Sequence, residues 1–229
     1  MAEHIPKHIV VFPDGNRRWA KSQGLNSFLG HQQGYRNLID FTLWCKERGV
    51  QVITAFGFST ENWKRSKEEV DYLMGLLEQG LSESLKRFKN EGVKVRIIGQ
   101  KERLPESLKN TIEKVETETD NNSKLHLNLA ISYGGKWDIL QAVKKITEEK
   151  ILPQDITEAV FENHLSTAGL PAPDLVIRAG GEMRLSNFVL WQAAYAELYF
   201  SKKMWPEFSK EDLDLALQEF DHRQRRYGK

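Results

Sequence analysis

What most constrains this chain is an event that recurs along it: an apolar, β-branched run stops abruptly in a polar cluster, and a helical pattern follows. The clearest instance is His8-Ile-Val-Val-Phe-Pro-Asp-Gly-Asn-Arg-Arg-Trp-Ala20. Ile9 to Phe12 reads as a buried strand. Pro13-Asp14-Gly15-Asn16 is a dense turn signal: Pro pre-sets φ, Gly accepts positive φ, and Asp and Asn bond their own backbone. Arg17, Arg18 and Trp19 stand where a helix begins. The same event recurs after Val50–Phe58, which runs into Ser59-Thr-Glu-Asn-Trp-Lys-Arg65. It recurs again after Asp174–Ile177, which runs into Arg178-Ala-Gly-Gly-Glu-Met-Arg-Leu-Ser-Asn187.

Further strands are expected at Val93–Ile98, Leu125–Ser132 and Glu197–Phe200. Helical spacing of apolar residues marks the segments between them. One helix is expected from Tyr35 to Arg48, after a punctuating Gly30-His31-Gln-Gln-Gly34, with Leu38, Ile39, Thr42, Leu43 and Cys45 on its apolar face. A longer one is expected from Lys67 to Asn90, interrupted by Gly75 and Gly80. Others are expected at Pro105–Glu118, around Trp137–Ile146 and at Glu158–Leu165. Ser209 should N-cap the last helix, with Arg223, Arg225 and Arg226 at its end. Strands that alternate with helices imply an α/β fold, a single domain over residues 1–229, with a mainly parallel sheet flanked by helices. Neither G-x-G-x-x-G nor a Walker A pattern occurs, so dinucleotide and P-loop folds are unsupported.

Composition narrows the function classes. Lys plus Arg number 33 against 32 acidic residues, a net charge of +1, which gives no general nucleic-acid footprint. A lone Cys45 excludes a disulfide framework and suits a small buried hydrophobe. No apolar signal region and no apolar run of spanning length is found, so the expectation is a cytoplasmic protein.

In a parallel sheet, strand C-terminal ends share one edge, where ligands bind. The three clusters can therefore converge there. Arg18, Arg65, Arg178 and Arg184 offer bidentate forks for phosphate oxygens. Gly15 and Gly180-Gly181 let backbone N–H groups approach an anion. Asp14 is suited to Mg²⁺, which takes one or two carboxylates and completes its shell with phosphate and water. The joint expectation is a site for two phosphorylated groups and one metal. Val52–Phe58, the 67–90 helix, Leu127, Leu129 and Ile131 either line an apolar tunnel between sheet and helices or form a plain core; periodicity fits both.

The chain resembles the cis-prenyltransferases, the family of undecaprenyl diphosphate synthase, along essentially its whole length. The resemblance rests on Asp14–Ala20, Gly30-His31, Phe58–Arg65, Tyr133-Gly-Gly135, Arg178–Asn187, Leu190-Trp-Gln192 and Glu197-Leu198. It implies repeated condensation of isopentenyl diphosphate with an allylic prenyl diphosphate, each new double bond cis. It implies Mg²⁺ on Asp14 and a metal-linked carboxylate at Glu197. Gly15, Asn16 and Arg18 would hold the allylic diphosphate with His31 beside it, next to Arg17 and Trp19. Ser59, Glu61, Asn62, Trp63 and Arg65 would form a mobile segment, in which Asn62 assists ionisation or proton removal. Arg178, Arg184 and Ser186 would grip isopentenyl diphosphate. A homodimer is implied, or in some lineages a heterodimer. Its R-x-G ending, here Arg226-Tyr227-Gly228, reaches the partner's site. Release of the apolar product implies transient membrane contact. The product could be long, undecaprenyl-like, or shorter; a non-catalytic partner subunit is the remaining alternative. Arg17 replaces a glycine common in bacterial members, and Ser27 replaces an arginine, so Arg17 is a candidate to supply the missing charge.

Overall fold

The computed structural model describes residues 4–223. Its centre is one six-stranded sheet: β1 (His8–Phe12), β2 (Val52–Ser59), β3 (Val93–Ile98), β4 (Leu125–Tyr133), β5 (Leu175–Arg178) and β6 (Glu197–Phe200). The strand order is β3-β4-β2-β1-β5-β6, and every neighbouring pair is parallel. Among the described residues seven α-helices accompany it: α1 (Asn16–Ser22), α2 (Ser27–Glu47), α3 (Lys67–Glu91), α4 (Glu106–Thr119), α5 (Gly135–Glu148), α6 (Glu158–Glu162) and α7 (Lys210–His222).

All five residues of β1 are buried, as are eight of nine in β4. Both faces of the sheet are covered, which is why these strands read as continuous apolar runs. From β1 the chain first builds β2, β3 and β4 on one side, then β5 and β6 on the other. That reversal is a topological switch point, and the crevice above it is the default ligand site of an open α/β sheet. Register brings the strand ends level: Phe12 pairs with Arg178, and Ser59 with Tyr133.

Most expected elements form within a few residues of their sequence boundaries, and Cys45 is buried as expected. The expectation for α2 needs correction. It begins at Ser27, N-capped by Asn26, and runs through Gly30 and Gly34. Both glycines are there for close approach. A Cβ on Gly30 would lie 2.2 Å from the Asn16 carbonyl oxygen, and one on Gly34 would lie 2.2 Å from Asn16 Oδ1. Gly80 likewise makes room for the Tyr35 ring, 2.4 Å from its would-be Cβ, whereas Gly75 meets nothing within 4 Å.

The apolar tunnel is not open here. Leu127, Leu129 and Ile131 are each at most 2% exposed and pack in one cluster with Met74, Leu77 and Leu81 of α3. The plain-core alternative describes this part of the interior, while Phe56 and Gly57 of β2 and Leu73 of α3, from the same expected lining, face an open cleft. Ser209 caps α7 in a reciprocal box with Asp212. Arg225 and the Arg226-Tyr227-Gly228 ending lie outside the described residues.

Candidate active site

At the C-terminal ends of β1, β2 and β5 lies a cleft of about 1180 Å³. β1 stops at Pro13, and Gly15 takes φ 97°, which turns the chain into α1. The turn holds the Asp14 carboxylate over the strand ends: Gly15 N donates to Oδ1 at 2.7 Å. The last residue of β5, Arg178, meets it from the neighbouring strand. Its Nη2 donates to Asp14 Oδ2 at 2.9 Å, and its Nη1 donates to Ser186 Oγ at 2.8 Å and to the Arg184 carbonyl. The guanidinium is 4% exposed and lies over the Phe12 ring, 4.9 Å from its centroid. One buried cation thus binds the first cluster to the third.

The third cluster is held in strained backbone. Ser186, Asn187 and Val189 have φ of 45°, 63° and 38°. A buried β-branched residue with positive φ is a true outlier, and such strain gathers at functional sites. It carries Asn187 across the cleft mouth, where Nδ2 donates to Glu61 Oε1 at 2.8 Å. Burial works to raise the Glu61 pKa, but that bond and those from neighbouring hydroxyls leave it below the ordinary value. Within the second cluster Ser59 N donates to Asn62 Oδ1 at 3.0 Å, which fixes the Asn62 amide at the end of β2.

Cations dominate the walls. Arg18 reaches Asp14 Oδ1 at 3.7 Å and Glu182 Oε1 at 3.5 Å, and Glu182 also pairs with Arg184. On the opposite side Glu69 Oε1 accepts from Arg65 Nη1 at 2.9 Å, with Arg17 Nη1 at 3.5 Å and His31 Nε2 at 3.7 Å. Burial, then the nearby Arg65 and Arg17 charges, push the His31 ring down to about 4, against an opposing pull from Glu69. The ring is therefore neutral at pH 7.

Among the described residues, three buried side-chain polar atoms lack a hydrogen-bond partner: Asn16 Oδ1, His31 Nε2 and Arg178 Nε. All three belong to residues that line this one cleft. Buried polar groups are almost always paired, so this concentration marks a place where a polar ligand completes the bonding. Five arginines and Lys21 around it suit an anion of high charge. For a metal, no group of three His, Cys, Asp or Glu side chains gathers among the described residues. The partly exposed Asp14 carboxylate fits a hard cation that takes one protein carboxylate and draws its other oxygens from phosphate and water.

Of the residues singled out in the sequence, Asp14, Gly15, Asn16, Arg17, Arg18, His31, Ser59, Glu61, Asn62, Arg65, Arg178, Arg184 and Ser186 all line the cleft. Three do not. Trp19 turns outward to donate to Glu207, and Trp63 donates Nε1–H to Ser132 Oγ at 2.8 Å while packing on Phe58. Glu197 opens β6, pairs in register with Leu175 and meets Arg223 at 3.2 Å. A single chain therefore puts Glu197 at the N-terminal end of the edge strand β6, level with the start of β1, whereas Asp14 follows the C-terminal end of β1. The sequence reading missed Glu69, Glu182 and Asn187. The last two sit inside the Arg178–Asn187 stretch; Glu69 was hidden as the fourth residue of a Ser66-Lys-Glu-Glu69 helix start. Of the apolar floor of the cleft, Phe56, Gly57 and Leu73 lie in the two segments expected to line an apolar channel, and only Leu25 gave no signal.

Known proteins share this architecture and much of this sequence. Residues 12–228 match the model of a family described as "Putative undecaprenyl diphosphate synthase". The isoprenyl transferase of Thermotoga maritima is 45% identical over 98% of this chain and 97% of its own. The chloroplastic (2Z,6Z)-farnesyl diphosphate synthase of Solanum lycopersicum is 48% identical over 99% of this chain and 80% of its own. Lavandulyl diphosphate synthase from Lavandula x intermedia, solved in complex with dimethylallyl diphosphate, superposes with a TM-score of 0.94 at 40% identity, covering 98% and 99% of the two chains.

Proposed function

This chain is a prenyltransferase of the undecaprenyl diphosphate synthase family, the cis-prenyltransferases, and we propose that it condenses isopentenyl diphosphate with an allylic prenyl diphosphate, farnesyl diphosphate as primer, to a long-chain polyprenyl diphosphate of the undecaprenyl kind. The observation that carries the reading is the Arg178 guanidinium, which joins the Asp14 carboxylate to the Ser186 loop and is, with Asn16 and His31, one of three cleft-lining residues with an unpaired buried polar atom. Two diphosphates can share such a cleft, one on the Asn16–Arg18 turn with His31, the other on Arg178, Arg184 and Ser186.

In the reaction the allylic C–O bond breaks and its electron pair leaves with diphosphate. The terminal double bond of isopentenyl diphosphate supplies the pair for the new C–C bond, and loss of a proton leaves a cis double bond. Arg17, Arg18 and Arg65 stabilise the negative charge that develops on the departing oxygens. Asp14 would hold Mg²⁺, which when bound would supply further charge stabilisation at those oxygens. Asn62, fixed through Ser59, is placed to assist ionisation or to guide the proton away. Phe56, Gly57, Leu25 and Leu73 shield the positive carbon from water.

Each added five-carbon unit shelters about 3–4 kcal/mol of apolar surface, so a long product leaves with lipid help and the protein works at the membrane surface transiently. Among the described residues no helix is long and apolar enough to cross a membrane. A homodimer fits the open edge at β6 and the exposed Leu140 and Val143 of α5, and it offers Glu197 a route to a metal that one chain does not provide.

A second reading, a short-chain product, is favoured by one observation. The interior behind the apolar floor is packed, and the Tyr35 ring seals α2 against Gly80 of α3. Incubation with labelled isopentenyl diphosphate, Mg²⁺ and geranyl, farnesyl or geranylgeranyl diphosphate, followed by sizing of products, separates the two. Products beyond C50 support the long-chain reading, products of C15–C20 the short one. No incorporation with any primer moves the assignment to a non-catalytic partner subunit.

A further inference from the structure

We propose that Glu69 is a positioning residue: its carboxylate holds the Arg17 and Arg65 guanidinium groups as a pair set to receive the allylic diphosphate. The inference rests on the reading of the cleft as a prenyl diphosphate site.

The starting point is a local rule that is half obeyed. Ser66-Lys67-Glu68-Glu69 has the form of a reciprocal capping box at the start of α3. Ser66 does its half, since Glu69 N donates to Ser66 Oγ at 3.3 Å. In α7 the acidic partner answers, with Ser209 N donating to Asp212 Oδ2 at 2.8 Å. In α3 the Glu69 carboxylate turns instead to the cleft. One oxygen, Oε1, accepts from Arg65 Nη1 at 2.9 Å and lies 3.5 Å from Arg17 Nη1 and 3.7 Å from His31 Nε2. Those partners come from the end of the turn after β2, from α1 and from α2, so a single oxygen ties four parts of the fold together.

The exposures show which partner is fixed. The Glu69 side chain is 15% exposed, against 30% for Arg65 and 59% for Arg17. A partly buried anion at a helix N-terminus, where the dipole favours it, is the anchor; the cations, both more exposed, are the groups it locates. Without it two guanidinium charges would face one another beside a neutral His31 ring, and repulsion would spread them. Each arginine gives Glu69 only part of a five-donor fork, so both keep N–H groups for phosphate oxygens. Binding then starts from ordered forks, and the ordering cost is already met in the free protein.

The opposite role, a competing anion that blocks the site, predicts the opposite sign. Removing such an anion from a cationic cleft tightens diphosphate binding; removing an anchor weakens it. The experiment titrates inorganic diphosphate into the full chain by calorimetry and measures both Michaelis constants with Glu69→Gln, Glu69→Asp and Ser66→Ala. Positioning predicts that Glu69→Gln raises the dissociation constant for diphosphate and the KM for the allylic substrate about tenfold. The KM for isopentenyl diphosphate should stay within about twofold. Glu69→Asp keeps the charge but draws it back by one methylene, and should show the same effect at reduced size. Ser66→Ala should lower the melting temperature without moving either KM. Should Glu69→Gln fail to fold, Glu69→Asp carries the same test. Tighter or unchanged diphosphate binding in the glutamine variant overturns the proposal, as does an equal rise in both KM values. Wild-type protein that elongates normally alongside an indifferent Glu69→Gln defeats only this inference; wild type that binds no diphosphate defeats the reading of the site as well.

Discussion

Three glycines inside helices give this structure a sharp internal test, because their surroundings differ while the substitution is the same. In Gly30→Ala the new methyl would sit 2.2 Å from the Asn16 carbonyl oxygen, 2.9 Å from its carbon and 3.0 Å from Ala20 Cβ. Two of those are backbone atoms of α1, which have no rotamer to escape into, so α1 and α2 must separate by about 1 Å to restore ordinary contact. Overpacking of this kind costs about 1–3 kcal/mol, here near the top of the range. Alanine returns about 1 kcal/mol of helix propensity. The net is a loss of about 2 kcal/mol, or about 4–8 °C in melting temperature for a chain of this size. Gly34→Ala meets the Asn16 amide at 2.2 Å, a side chain that can rotate. Its stability loss is smaller, but Asn16 lines the cleft and loses its bond to the Pro13 carbonyl, so the KM for the allylic substrate rises several-fold. Gly75→Ala meets nothing within 4 Å and should stabilise by about 1 kcal/mol. Calorimetric melts of the three variants beside wild type check the series. Equal shifts for Gly30→Ala and Gly75→Ala, or a Gly30→Ala protein as stable as wild type, refute the close-approach reasoning.

The remaining predictions concern charge. Asp14→Ala strips the counter-ion from a guanidinium that is 4% exposed and should cost about 2–3 kcal/mol in urea denaturation, whereas Asp14→Asn, which keeps an acceptor for Arg178, should cost under about 1 kcal/mol. His8 is buried, donates Nδ1–H to the Pro171 carbonyl and accepts from Thr54; burial, only partly offset by that carbonyl and by Asp174, pushes its pKa down to about 4. The unfolded chain therefore binds a proton from pH 6.5 downward that the folded chain refuses until about 4. Stability falls across that window as pH drops, by about 2 kcal/mol between pH 7 and pH 5 from this group, and His8→Gln should flatten the slope in paired urea melts. Arg17 and Ser27 both line the cleft, which gives Arg17 the reach to stand in for a missing arginine. Arg17→Gly should raise the KM for the allylic substrate about tenfold; an unchanged KM removes that role.

The sequence showed the architecture well because the strongest signals here are local. A β-branched run buried on both faces looks the same in sequence and in space, as Ile9–Phe12 does, and a Pro-Asp-Gly-Asn turn can do little else. Convergence of the three clusters followed from parallel topology alone, since strand ends must share an edge. What escaped depended on contacts between distant segments. Gly30 and Gly34 look like punctuation until the Asn16 turn is placed against them. Glu69 looks like half a helix cap until Arg17, Arg65 and His31 arrive from other elements. Trp19 and Trp63 carry a family resemblance in sequence, yet their rings pack and bond away from the cleft, which spacing could not reveal. Glu197 was grouped with Asp14 by the family resemblance; the register of a four-residue strand separates them.

The central claim is that the strand-end cleft is one cradle for diphosphate and Mg²⁺, organised on Asp14. The most direct measurement is incorporation of labelled isopentenyl diphosphate onto an allylic primer, by wild type and by Asp14→Asn, each with Mg²⁺ and with excess chelator. The claim predicts elongation by wild type with Mg²⁺, loss of turnover in chelator, and turnover reduced at least a hundredfold in a folded Asp14→Asn protein whose melting temperature is close to wild type. Elongation by Asp14→Asn at the wild-type rate, or by wild type in chelator, would contradict it.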